Sequence, residues 1–311
     1  MRRSVVRRLL GAVLIVALGA TGVACSSESD GSGSDGRVSV VAASYPLEEA
    51  ASKVGGDAVD VQNLTPPGVE PHDLELTPQT IAEIQEADVV LYLGGGFTPA
   101  IEEATEDASG AAVDLLDGLA LRPGVPEEGE EEVSAVDPHV WLDPVLYRQV
   151  VDRVATALTR ASPDDAATFE SNADAFGEEL ATLDDEYRTG LTGCDRNVIV
   201  TAHAAFGYLA DGYGLTQQPI SGISPDVEPS AGRLAALADL VRDEGVTTIF
   251  TEELLSPEVA QTLAAETGAT TAVLNPIEGL TDEQLAAGED YVSVMRSNLA
   301  VLREALGCPE M

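Results

Sequence analysis

The chain has 311 residues, 54 acidic side chains against 16 basic ones, a formal net charge of −38, three cysteines and only three histidines. That balance excludes nucleic-acid binding, which needs a basic footprint. The charge reads first as solubility, with steering of cations as a second effect, and the length accommodates two domains.

In chain order, residues 1–8 are basic and Leu9 to Ala20 is an apolar run too short for a membrane span of about 20 residues. Thr21-Gly22-Val23-Ala24-Cys25 resembles a bacterial lipobox, with Gly22 where Leu is usual. On that resemblance residues 1–24 are a lipoprotein signal peptide, Cys25 is lipidated, and the mature protein is held at the extracytoplasmic face of the cell membrane. The competing reading is ordinary secretion after cleavage near Ala24. Residues 25–36 are Gly- and Ser-rich, with no apolar residue after Cys25 to bury, and form a flexible tether. Setting Cys25 aside leaves Cys194 and Cys308. An exported, oxidising setting permits a disulfide between them, which would pin the last helix to the second lobe.

The folded part alternates strand and helix. Strands are expected at Val38 to Ala43, Val59 to Leu64 and Val89 to Leu93. Helices are expected at Pro46 to Val54, Pro78 to Glu86 and Pro99 to Ala108. The strands are continuous apolar runs, as in a parallel sheet covered on both faces. An acidic low-complexity loop, residues 126–132, precedes His139. Helices follow over Pro144 to Ala161 and over Pro163 to Gly190, the second capped by Ser162. No strand interrupts this long helix, and we read it as a spine between two lobes.

The second lobe repeats the alternation: strands at Val198 to Val200, Gln217 to Gly222, Thr247 to Thr251 and Thr270 to Leu274, with helices at Ala204 to Tyr213, Ser230 to Asp243, Pro257 to Thr267 and Asp282 to Leu306. The fold class is thus α/β: two doubly wound parallel-sheet lobes joined by one long helix. Its parts are a first lobe at 37–162, a linker helix at 163–190 and a second lobe at 191–311. Doubly wound lobes bind ligands at the carboxyl ends of their strands.

His72, His139 and His203 each sit in a turn after a predicted strand or beside a helix start. Neutral imidazole is the commonest side-chain metal ligand. Three at such positions, and none elsewhere, point to one shared metal site.

Longer motifs carry a family resemblance over the whole mature chain. They are Ala42-Ala-Ser-Tyr-Pro-Leu, Pro71-His-Asp with Leu76-Thr-Pro, Asp137-Pro-His-Val-Trp-Leu-Asp, Gly222-Ile-Ser-Pro-Asp-Val-Glu-Pro-Ser and Phe250-Thr-Glu. In this order they resemble the zinc/manganese substrate-binding lipoproteins of ABC transporters, the ZnuA/TroA type. The resemblance implies one metal between the lobes, ligated by His72 and His139 from the first and by His203 and the position of Asn275 from the second. That last position is usually Asp. Asn275 itself, a water, or a carboxylate such as Glu278 or Glu70 supplies the fourth donor. Glu252 matches a position whose carboxylate orients an imidazole; the alternative is a helix-capping role. Trp141 reads as lobe packing, Glu228 and Ser230 as caps. The implied partner is a membrane permease, and the chain is expected to act as a monomer.

Three imidazoles favour zinc over manganese, which suits carboxylate-rich sites. An exported zinc hydrolase with an open three-His site is the rival reading, but no His-Glu-x-x-His helix is present. A structural or adhesive lipoprotein has no positive feature in its favour. The expectation is a non-enzymatic, extracytoplasmic zinc-binding component of an ABC importer.

Overall fold

The computed structural model describes residues 36–124, 136–225 and 227–310. The leader, Cys25, residues 26–35 of the tether and the acidic loop at 126–132 lie outside the described residues. Among the described residues no helix is long and apolar enough to cross a membrane.

Two four-stranded, all-parallel sheets organise the chain. The first contains β1 (Val38–Ala42), β2 (Val59–Asn63), β3 (Val89–Tyr92) and β4 (Ala111–Asp114), in the order β2-β1-β3-β4. The second contains β5 (Val198–Thr201), β6 (Thr216–Pro219), β7 (Thr248–Thr251) and β8 (Thr270–Val273), in the order β6-β5-β7-β8. The central strands are rich in β-branched residues and almost wholly buried, as strands covered on both faces must be. In each sheet the order reverses beside the first strand, so a crevice opens at the carboxyl ends there.

Sequence and structure differ at several element bounds, and most at three places. β4 was not anticipated, because Ala111–Asp114 has a single β-branched residue and lies at an edge with both alanines exposed. The spine helix starts later than expected: Pro163–Asp165 forms a 3₁₀ turn, and the α-helix runs Ala166–Gly190. The last helix is two helices, Asp282–Ala287 and Tyr291–Leu306. Gly288 ends the first at φ 78, and Asp290 starts the second with a capping box to Ser293.

The helices of the first lobe are α1 (Tyr45–Gly55), α2 (Pro78–Glu86), α3 (Pro99–Thr105) and α4 (Pro144–Ala161); the spine is α5. At 25 residues, α5 is about 37 Å long. Phe169, Phe176, Leu180, Leu183 and Tyr187 form its buried stripe, which packs on α4 and α1. The second lobe adds α6 (Gly207–Tyr213), α7 (Ala231–Asp243), α8 (Glu258–Thr267), α9 (Asp282–Ala287) and α10 (Tyr291–Leu306). α10 returns along α5: Tyr187 donates to the Met295 carbonyl at 2.7 Å, and Arg296 forks onto both oxygens of Glu186 at 2.9 Å.

Cys194 and Cys308 are joined in a disulfide that closes 114 residues, tying the end of α10 to the segment between α5 and β5. Replacing both cysteines by serine is expected to lower stability by about 2–4 kcal/mol, read as a lower urea midpoint for the metal-free protein under oxidising conditions.

Candidate metal centre

Each of the three histidines lies in or directly before a 3₁₀ turn. His72 is in a 3₁₀ turn, Pro71–Asp73, after β2. His139 precedes the turn Val140–Leu142, and His203 the turn Ala204–Phe206 directly after β5. The first two share a local device. In Glu70-Pro71-His72 and Asp137-Pro138-His139 the acid's carboxylate accepts the backbone N–H of the histidine, at 3.4 and 3.0 Å. The intervening proline fixes φ and removes a donor, so the acid folds onto the histidine two residues on.

The rings converge from both lobes onto one oxygen. Glu278 Oε1 lies 2.9 Å from His139 Nε2, 3.3 Å from His72 Nε2 and 3.4 Å from His203 Nε2. The Nε2 atoms of His139 and His203 are 3.4 Å apart. Within this group of four, every ligating atom is within 4.8 Å of every other. His139, His203 and Glu278 are fully enclosed, and His72 keeps 5% of its side chain exposed. The back of the His139 ring bonds Asp137 through Nδ1 at 2.8 Å; His203 Nδ1 reaches both oxygens of Glu252 at 2.9 Å. The Phe97 ring stands edge-on to His72, and Trp141 packs beside His139.

Two polar atoms of the group, His72 Nε2 and Glu278 Oε2, are buried without a hydrogen bond. Burying such atoms costs free energy unless something coordinates them. Three imidazole nitrogens with one carboxylate oxygen, packed this closely, form a donor set for a single divalent ion.

Asn275 is the fourth ligand that the resemblance implies. Its carboxamide is engaged elsewhere: Oδ1 accepts from the Ile277 backbone at 2.7 Å, and Nδ2 donates to the Glu253 carboxylate. The turn after β8 carries the chain three residues further and delivers Glu278 instead. Glu70, the other carboxylate left open by the sequence, is buried beside the cluster with Oε2 unpartnered. Asp137 also serves the site, bonding both the backbone and the ring of His139. Its position two residues before a histidine, the same spacing as Glu70 to His72, was the available signal.

The electrostatics follow from burial and from these pairs. Burial disfavours the imidazolium of His203, but the carboxylates of Glu252 and Glu278 outweigh it and hold its pKa well above the ordinary 6.5. His139 behaves likewise: burial is opposed by its bonds to Asp137 and Glu278, and its pKa rises. Burial would raise Glu278, yet the His203 charge and the close approach of the His139, His203 and His72 nitrogens bring it well below its usual range. Glu70 is pushed up to about 9 by burial and then by the Glu278 charge. Without metal, the site therefore holds protons that the unfolded chain releases.

A profile of the family type then emerges from comparison. The model for "Zinc-uptake complex component A periplasmic" matches residues 40–305. The zinc-binding lipoprotein AdcA of Streptococcus pneumoniae is 40% identical over 292 residues, covering 91% of this chain; the chain spans 58% of that relative's length. The high-affinity zinc uptake system protein ZnuA of Bacillus subtilis is 38% identical over 304 residues, 94% of each chain. Among solved structures, the Zn(II)-bound ZnuA-like domain of Streptococcus pneumoniae AdcA superposes with a TM-score of 0.75 at 39% identity, covering 88% of this chain and 100% of that one.

Two outcomes are expected for the metal-free protein. Between pH about 6.5 and 9 the folded state binds more protons than the unfolded one, at His203, His139 and Glu70. Stability must then fall as pH rises through that window, seen as a falling melting temperature from pH 6 to 9. Asn275→Asp keeps the acceptor for Ile277 but sets a carboxylate against Glu253. It should lose about 1–3 kcal/mol of stability with no gain in divalent-metal affinity; tighter metal binding would return this position to the ligand set.

Proposed function

Because the chain belongs to the family of periplasmic zinc-uptake complex component A proteins, we propose that it captures one zinc ion outside the cytoplasm and delivers it to the membrane permease of an ABC importer. His72, His139, His203 and Glu278 are the ligands in this reading, and Asp137 and Glu252 hold the imidazoles in the tautomer whose Nε2 faces the metal. The single observation that carries it is the convergence of three imidazoles and one carboxylate, two donors from each lobe, on a common point. A tetrahedral zinc site with bonds of about 2.0–2.1 Å has ligand-to-ligand edges of about 3.3–3.5 Å. The 2.9–3.4 Å separations around Glu278 Oε1 are close to those edges, and the whole group lies within 4.8 Å.

Nitrogen-rich donors favour zinc over manganese. The donor groups are almost wholly enclosed, which suits holding a cargo ion rather than exposing a bound water to a substrate. In the same reading Cys25 carries the lipid that keeps the protein at the outer face of the membrane, and the residues after it give it reach.

Calorimetric titration of the metal-free protein with zinc and with manganese tests this reading. One zinc per chain is expected, binding more tightly than manganese, with His203→Ala and Glu278→Ala each severely weakening it. Zinc must displace the protons retained by His203 and His139, whose folded pKa values lie above 6.5. Apparent affinity should therefore rise with pH from 6 towards 9, by up to about tenfold per pH unit for each proton released. More than one tight zinc per chain, tighter manganese, or a pH-independent affinity would count against the assignment.

A further inference from the structure

Glu278 is held by a side-chain clamp that contributes no donor of its own. Asn298, on α10, is buried to 3% exposure. Its carboxamide spends both ends on the backbone of one residue: Oδ1 accepts from Asn275 N at 2.9 Å, and Nδ2 donates to Asn275 O at 2.7 Å. β8 ends at Val273, so a side chain here replaces the pairing a strand neighbour would give. Asn275 continues the relay. Its Oδ1 accepts from Ile277 N, a local side-chain turn that competes with regular structure.

Ile277 is the one non-glycine residue at positive φ among those described, at φ 58, and it is fully buried. A β-branched side chain in that region is a conformational outlier and persists only where its surroundings over-determine it. The next residue is Glu278. Any relaxation of Ile277 to an ordinary backbone region redirects the chain and swings the Glu278 carboxylate away from the imidazoles. The other oxygen of that carboxylate, Oε2, is buried without a hydrogen bond.

We propose that Asn298, acting through Asn275 and the strained Ile277, is a positioning residue that presets Glu278 for the metal. This rests on the reading of Glu278 as a zinc ligand. The clamp supplies, in advance, the backbone conformation that zinc binding would otherwise have to impose, and so raises affinity without touching the ion.

The test is a double-mutant cycle on the purified protein, with zinc affinity measured by chelator competition. Asn298→Ala should weaken zinc by about 10–100-fold, the usual loss when a ligand's support is removed. In a Glu278→Ala background the same change should cost nothing further, because its effect runs through Glu278. Cobalt(II) absorption gives a second readout: the band of Asn298→Ala should shift towards that of Glu278→Ala. Should Asn298→Ala fail to fold, Asn298→Asp serves instead: it keeps the acceptor for the Asn275 N–H but loses the donor to the Asn275 carbonyl, and should weaken zinc in the parent and not in the Glu278→Ala background. Additive losses, or a parent-like affinity and cobalt band in these variants, would overturn the proposal while leaving Glu278 as a ligand. A Glu278→Ala protein that binds zinc as tightly as the parent would remove the reading of the site itself, and this one with it.

Discussion

The arrangement turns on one carboxylate. Moving an ionised carboxyl into an enclosed site costs several kcal/mol unless charge and hydrogen bonds compensate. Glu278 has only imidazoles to do this, two from the first lobe and one from the second. The metal-free site resolves the conflict by borrowing protons, which is why His203 and His139 titrate high while Glu278 titrates low. A divalent cation resolves it better, since one ion neutralises the carboxylate and satisfies the nitrogens together. Proton and metal are therefore alternative occupants of one electrostatic hole, and the outer carboxylates of Asp137 and Glu252 deepen that hole for both.

The fold brings these groups together by stitching the two lobes along the same line. Trp141 donates to the Pro276 carbonyl at 2.7 Å, and Tyr291 donates to the Trp141 carbonyl at 2.5 Å. Gly68 donates to the Leu280 carbonyl at 3.0 Å, on the far side of Glu278. Tyr208, on α6, bridges Arg122 and Asp137, with its oxygen 2.9 Å from the Arg122 nitrogen and from the Asp137 carbonyl. Each of these bonds lies within a few residues of a donor group. Part of the interlobe adhesion is consequently also site geometry, and a change that loosens these bonds loosens the site.

How much of this the sequence revealed depended on rarity. Three histidines among 311 residues stand out, and their positions in turns after a predicted strand or beside a helix start pointed to one shared site. Glu278 is one of 54 acidic residues and could be named only among alternatives; choosing it required the path of the turn after β8. Asn275 attracted attention as the expected oxygen donor, whereas in the structure it orders backbone. The buried strands were legible from their apolar runs. β4 was not, because an edge strand of small residues carries little hydrophobic signal. The break between α9 and α10 had its markers in Gly288 and Asp290, masked by helix-forming residues on either side.

Trp141 was read as packing, and it does pack, fully buried against the His139 ring with centroids 5.2 Å apart. It is also the only tryptophan in the chain. All indole fluorescence from this protein thus originates at one seam, from a ring that touches a donor imidazole and hydrogen-bonds the strap leading to Glu278. A protonated imidazole, a neutral one and a metal-bound one are different neighbours for an excited indole. The chain carries its own optical gauge of site occupancy, with no label to attach and no second emitter of its kind to subtract.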